Sequence, residues 1–132
     1  MIEIAGIDHL VLRVRDLAAM ERFYCAVLGL SVAKRNEPLG LLHLRAGESL
    51  IDLISLDGPL GREGGAGPGR EGRNLDHFCL QVADFDLDRI LAHLKAHGVE
   101  PGAHGERFGA GGDGLSLYLT DPEGNGLELR AR

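Results

Sequence analysis

The sequence predicts an α+β chain built from two copies of one βαβββ module, and three observations point there. The segment Asp8-His9-Leu10-Val11-Leu12-Arg13-Val14 recurs 68 positions later as Asp76-His77-Phe78-Cys79-Leu80-Gln81-Val82. Each copy is followed by an acid, Asp16 or Asp84, and then by a helical pattern. Each half then closes with two strand-like runs joined by turn chemistry. Self-similarity at a fixed separation is the mark of a duplicated supersecondary unit.

The repeated segment alternates apolar and polar residues and reads as the first strand of each half. In the helix that follows, Leu17, Met20, Tyr24, Val27 and Leu28 keep the three-four spacing of a single apolar face, with Asp16 as N-cap and Gly29 past the end. Leu87, Ile90, Leu91 and Leu94 repeat that spacing in the second half, which ends at Gly98. A second strand is expected near 30–35 and near 99–104. The hairpins are expected at 41–45 with 50–56, turning at Ala46-Gly47-Glu48, and at 115–120 with 126–130, turning at Asp121-Pro122-Glu123-Gly124-Asn125. The last strands echo each other as Ile51-Asp52-Leu53 and Leu127-Glu128-Leu129.

These boundaries make 1–132 a single domain, with one module at 1–56, a Gly-rich linker at 57–73 and a second module at 74–132. The linker carries seven glycines and two prolines, and a second stretch, 102–114, carries six glycines. Neither contains a phosphate-cradle motif, so both read as flexible connector or lid.

The chain is 44% hydrophobic and 26% charged, which is ordinary globular usage. A net charge of −6 argues against nucleic acid as a partner. No long apolar run suggests a membrane span or signal peptide. The two cysteines, Cys25 and Cys79, form no CxxC and read as reduced thiols of a cytoplasmic protein.

Alternation sorts each strand into two faces. The aliphatic face carries Leu10, Leu12 and Val14, and in the repeat Phe78, Leu80 and Val82. The other collects His9, Arg13, His43, Arg45, Asp52, His77, Gln81, Ser116, Tyr118, Thr120, Glu128 and Arg130. One reading is that this face simply meets water, as antiparallel sheets often do. Yet each half places a histidine on its first strand and a carboxylate on its last, at equivalent positions. His9, Asp52, His77 and Glu128 are a mixed N/O set suited to a divalent metal such as Ni, Zn, Mn, Co or Fe(II). Four such ligands leave positions on a six-coordinate ion open to substrate; two histidines and one carboxylate already make the facial triad of non-haem iron, so Asp52 is either a fourth ligand or a bystander. His93 and His97, four apart on the second helix without HExxH, read as solvated. His104 falls in the second Gly-rich stretch, and His43 is placed to support a ligand.

These residues resemble the vicinal oxygen chelate superfamily, which includes glyoxalase I, extradiol dioxygenases, fosfomycin-resistance transferases and bleomycin-resistance proteins. The resemblance rests on GIDHLVLRV, the FYCAVLGL helix end, LIDLIS, LDHFCLQV and YLTDPEGNGLEL, and it covers nearly the whole chain. It implies paired βαβββ units forming an open, mostly antiparallel barrel around a metal site. It implies His9, Asp52, His77 and Glu128 as metal ligands, although the second is usually Glu. Arg13 and Arg73 resemble arginines that hold a glutathione carboxylate or lie nearby in glyoxalases, and Gln81 is expected beside them at the substrate. The lid lacks the usual lysine, with Arg107 as a substitute.

The activity implied is that of a metal-dependent lyase or isomerase acting on a vicinal-oxygen substrate, with a thiol cosubstrate such as glutathione. Glu128 would move the proton, and Tyr118 would assist. Tyr118, Asp121, Pro122, Gly124 and Glu128 also follow the extradiol signature, although the histidine it wants at 109–111 is Gly-Ala-Gly here. An Fe(II) ring-cleaving dioxygenase is therefore the second reading, and a non-catalytic small-molecule binding protein the third. A transferase ranks below the dioxygenase among the enzymes, since Val11 stands where its threonine is expected. The resemblance also implies a homodimer, with modules pairing within one chain or across two.

Overall fold

The sequence repeat becomes a repeat of hydrogen bonding. In the computed structural model, which describes residues 1–132, the chain divides into two compact units, Met1–Pro68 and Gly69–Arg132. The first contains β1 (His9–Val14), α1 (Leu17–Arg22) continued by a π-turn (Phe23–Val27), β2 (Ser31–Asn36), a short 3-10 turn (Glu37–Leu39), β3 (Leu41–Ala46) and β4 (Ser49–Ser55). The second contains β5 (Phe78–Val82), α2 (Leu87–Ala96), β6 (His104–Gly109), β7 (Gly112–Thr120) and β8 (Gly126–Ala131). Their sheets have the same order, β1-β4-β3-β2 and β5-β8-β7-β6, and neither closes on itself. This is the expected α+β architecture of two βαβββ units.

In each sheet the first strand pairs in parallel with the last, and the remaining pairs are antiparallel. The helix and hairpin between them supply the long crossover that a parallel pair needs. The pairing places the carboxylate strands β4 and β8 inside their sheets, between two neighbours.

In the first unit Asp16 caps α1, its Oδ1 accepting from the Ala19 N–H at 2.9 Å. Met20, Phe23 and Tyr24 bury their side chains, together with Leu12, Val14, Leu42, Leu44, Ile51 and Leu53 from the aliphatic sheet face. Burial of each such side chain contributes about 1.5–3 kcal/mol. In the second unit the cap is Asp86, whose Oδ1 accepts from the Arg89 N–H at 3.1 Å. Asp84 instead turns the chain with φ of 50°, a conformation that aspartate tolerates better than most residues. Leu94 of α2 is buried, as are Phe78, Leu117, Leu119, Leu127 and Leu129 of the sheet.

The Gly-rich stretches differ from expectation. Residues 102–114 are not a loose connector; most of them form the β6–β7 hairpin, so the strand expected at 99–104 lies at His104–Gly109. The reason is Arg130, which is buried. Its Nη1 donates to the Arg107 carbonyl at 3.4 Å and its Nη2 to the Gly112 carbonyl at 2.8 Å. A Cβ at Gly109 would lie 1.9 Å from that guanidinium, and one at Gly114 would lie 2.8 Å from it. These glycines make room for a charge.

The first stretch, as far as Pro68, folds against its own unit. A Cβ at Gly61 would lie 1.8 Å from the Ser55 carbonyl oxygen, so only glycine permits that approach. No helix is long and apolar enough to cross a membrane.

Candidate functional site

Register decides which side chains share a face. Val11 pairs with Asp52, and Asp52 with His43, so His9, Arg13, Asp52 and His43 lie on one face of the first sheet. Cys79 pairs with Glu128, and Tyr118 with Glu128 on its other side, so His77, Cys79, Gln81, Tyr118 and Glu128 share the corresponding face of the second. The four expected ligands therefore divide into two equivalent pairs, one histidine and one carboxylate per unit. No group of three or more His, Cys, Asp or Glu side chains gathers within either unit to hold a metal.

The carboxylates of this face do not simply meet water. Asp52 is 4% exposed and Glu128 5%. Both sit on central strands, where neighbours cover them. Each is compensated locally, as a buried carboxylate must be. In the first unit the His43 Nδ1 approaches Asp52 Oδ1 at 2.8 Å. In the second the Ser116 hydroxyl donates to Glu128 Oε2 at 2.5 Å, and His77 Nε2 lies 3.3 Å from Oε1. Burial alone would raise the Glu128 pKa. Hydrogen bonds from Ser116, Tyr118 and Cys79, with the His77 charge, outweigh it and hold the carboxyl below its ordinary value.

The histidines are exposed, and each leans on the aspartate before it. His9 Nδ1 lies 2.7 Å from Asp8 Oδ1, and His77 Nδ1 lies 2.6 Å from Asp76 Oδ2. The Asp8 hydrogen bond raises the His9 pKa above its ordinary value, against desolvation and with help from the Asp52 charge. The His77 hydrogen bond holds Asp76 below its own. Gly126 lets the His77 strand come close to β8, since a Cβ there would lie 2.8 Å from the Asp76 carbonyl oxygen.

Both arginines expected at the substrate already have partners. Arg13 donates through Nη2 to the Gly61 and Gly65 carbonyls at 3.0 and 2.6 Å, and through Nη1 to Ala66 at 3.2 Å. It ties the Gly-rich segment to β1. Arg73 donates to Asp76 Oδ1 at 3.2 Å, which extends the Asp76–His77–Glu128 series by one residue. Gln81 is exposed on the same sheet face. The Tyr118 ring stands edge-on to His77 at 5.7 Å, and Arg107, on β6, lies over it at 5.6 Å.

Beyond the expected site residues, the structure adds Asp8, Asp76 and Ser116 to these clusters and gives His43 a definite partner. The two aspartates belong to the repeated segment, so their duplication was a visible signal; Ser116 carried none beyond its place on the polar face. His93 and His97 are exposed, with His97 Nδ1 3.0 Å from the His93 carbonyl oxygen at the end of α2. His104 opens β6 and is exposed.

A donor set of two imidazoles and two carboxylates suits a divalent ion, and one pair can be tested on geometry. Ligand atoms 3.3 Å apart, as in His77 and Glu128, can share one ion bound at about 2.1 Å from each. The residues fit.

The family model described as Glyoxalase/Bleomycin resistance protein/Dioxygenase superfamily matches residues 6–129. The catechol-2,3-dioxygenase of Bacillus subtilis is 32% identical over 126 residues, covering 95% of this chain; the chain spans only 41% of that enzyme's length. Among solved structures, the virulence protein STM3117 of Salmonella typhimurium is 26% identical with a TM-score of 0.81, covering 98% of both chains. The lactoylglutathione lyase of Agrobacterium tumefaciens is also 26% identical, with a TM-score of 0.71, covering 98% of this chain and 95% of its own.

Proposed function

The chain belongs to the Glyoxalase/Bleomycin resistance protein/Dioxygenase superfamily, and from that premise we propose that it is a metal-dependent lyase or isomerase of the glyoxalase type. Its substrate is a small molecule with two vicinal oxygens, such as the thiol adduct of an α-oxoaldehyde, with glutathione as one candidate thiol. One observation carries the metal dependence. His77, held through Nδ1 by Asp76, brings Nε2 to 3.3 Å from Glu128 Oε1, so an imidazole nitrogen and a carboxylate oxygen lie close enough to share one cation.

The ligands we propose are His9 and Asp52 from the first unit and His77 and Glu128 from the second. When bound, a divalent ion (Ni, Zn, Mn, Co or Fe(II)) supplies Lewis-acid polarisation of the substrate oxygens. Glu128, ionised at neutral pH, takes a proton from one substrate carbon at a carboxylate oxygen and returns it to the neighbouring carbon. Ser116 holds that carboxylate through its hydroxyl, and Tyr118 stands beside it on the neighbouring strand. Arg13, Arg73 and Gln81 bind the remote end of the substrate. A substrate carboxylate there replaces the carbonyls now held by Arg13, or Asp76 in the case of Arg73. A homodimer acting on a small molecule accords with this reading, and a net charge of −6 does not favour nucleic acid.

The position of Tyr118, paired in register with Glu128 and edge-on to His77, favours a second reading as an Fe(II) ring-cleaving dioxygenase. Elemental analysis of the purified protein, followed by assays after anaerobic reconstitution, separates the two. The lyase reading expects Ni- or Zn-dependent turnover of hemithioacetals without oxygen uptake. Oxygen uptake with catechols under Fe(II) overturns it in favour of the dioxygenase. Ligand-induced stabilisation without metal or turnover overturns both in favour of a binding protein.

A further inference from the structure

The two units repeat more than a histidine and a carboxylate. Each places an aspartate immediately before the histidine and turns its carboxylate back onto the ring. The distances are 2.7 Å from His9 Nδ1 to Asp8 Oδ1 and 2.6 Å from His77 Nδ1 to Asp76 Oδ2. A carboxylate oxygen is an acceptor, so in both rings the Nδ1 carries the proton and donates it. In its neutral form each ring then has only Nε2 as a lone-pair donor, and in His77 that atom lies 3.3 Å from Glu128 Oε1, a longer approach than the 2.6 Å at Nδ1. A histidine with either nitrogen available has two ways to meet a cation, and fixing one removes that choice before the ion arrives.

The backbone supports the arrangement. In the first unit the Asp8 carbonyl accepts from the Leu50 N–H at 3.0 Å, which fixes the residue against β4 while its side chain serves the ring. In the second, Asp76 gives Oδ1 to Arg73 at 3.2 Å and Oδ2 to His77, so its carboxylate is held from both sides. The recurrence at matched positions of two separate units makes a chance surface contact a poor explanation.

We propose that Asp8 and Asp76 are paired positioning residues, each locking its histidine in the Nδ1–H tautomer so that Nε2 is presented as the metal-binding atom. The second part of this assignment rests on the metal-dependent function proposed above; the tautomer does not.

The test uses the full chain labelled with ¹⁵N-histidine and freed of metal. Long-range ¹H–¹⁵N correlation at pH 7.5 reads the tautomer of each ring, and competition with a chromophoric chelator reads Zn²⁺ affinity. The wild type is expected to show Nδ1–H at His9 and His77. Asp8→Ala and Asp76→Ala are each expected to lose that signature at their own ring only and to weaken Zn²⁺ binding about 10- to 100-fold. Asp76→Asn keeps an acceptor and is expected to retain the tautomer with a smaller loss of affinity. Nε2–H rings in the wild type, or alanine variants that bind Zn²⁺ as tightly as the wild type, overturn the proposal. A wild type with both Nδ1–H rings but no Zn²⁺ binding overturns the metal-dependent function instead and leaves the tautomer assignment supported.

Discussion

The Ser116 hydroxyl donates to Glu128 Oε2 at 2.5 Å, and both side chains are buried on neighbouring strands. The bond is one of several interactions that hold the Glu128 carboxyl below its ordinary pKa against the burial that would raise it. Ser116→Ala therefore should raise the Glu128 pKa. A depressed carboxyl contributes stability above its unfolded value that is lost as pH falls through the folded one. The variant should accordingly lose about 1–3 kcal/mol at pH 7, with the deficit shrinking toward low pH. Urea unfolding at pH 7 and at pH 3 checks this. Equal deficits at both pH values would remove the ionised carboxylate from the explanation.

Arg13 is expected at the substrate by resemblance, and its guanidinium holds the carbonyls of Gly61, Gly65 and Ala66. If it also binds a remote substrate carboxylate, Arg13→Ala should raise KM at least tenfold and change kcat little, because binding there is equal in ground and transition states. The same variant should make the 57–68 segment more susceptible to limited proteolysis, since its ties to β1 are lost. A KM unchanged in a variant whose loop is readily cleaved would leave Arg13 with the loop alone.

The duplicated Asp-His segment and the echoed Ile-Asp-Leu and Leu-Glu-Leu strands made the two histidine–carboxylate pairs legible, because strand alternation fixes a face from local sequence. What local sequence does not fix is which strand lies beside which. The parallel pairing of β1 with β4 spans some forty residues, and it alone decides that Asp52 lies next to His43's strand and on the face of His9. Ser116 was legible as a polar-face residue but not as the partner of Glu128, since that contact depends on the β7–β8 register. The Gly-rich hairpin was misread for a related reason. Glycine frequency looks the same whether it serves a mobile loop or clears space for Arg130, and only the tertiary position of that guanidinium separates the two.

Those two uses of glycine differ in what substitution costs. At Gly109 a Cβ meets the Arg130 guanidinium at 1.9 Å, whereas at Gly61 it meets the Ser55 backbone carbonyl at 1.8 Å. A side chain can move at the expense of its hydrogen bonds; a backbone in register with a sheet cannot. Gly109→Ala should cost about 1–3 kcal/mol, the usual range for overpacking, and Gly61→Ala should cost more. Shortening the neighbour in Gly109→Ala/Arg130→Lys should recover part of the first loss. Chemical denaturation of the three variants checks the order, and a Gly61→Ala protein as stable as the wild type would contradict the close approach.

Cys79 lies beside Glu128 on the candidate face, and burial together with that negative charge pushes its thiol up to about 11. At pH 8 only about one thiol in a thousand is then ionised, so alkylation should be slow even though the residue is exposed. Glu128→Gln removes the charge and should lower the thiol pKa, speeding iodoacetamide reaction at Cys79 several-fold while Cys25 reacts as before. The same substitution should depress turnover about 100-fold or more if Glu128 moves the proton. Peptide mapping of the modified thiols gives the site, and near-ultraviolet circular dichroism tests whether the fold is retained. A Cys79 that reacts rapidly at pH 8 in the wild type, or that is indifferent to Glu128→Gln, would separate the two side chains that the β5–β8 register places side by side.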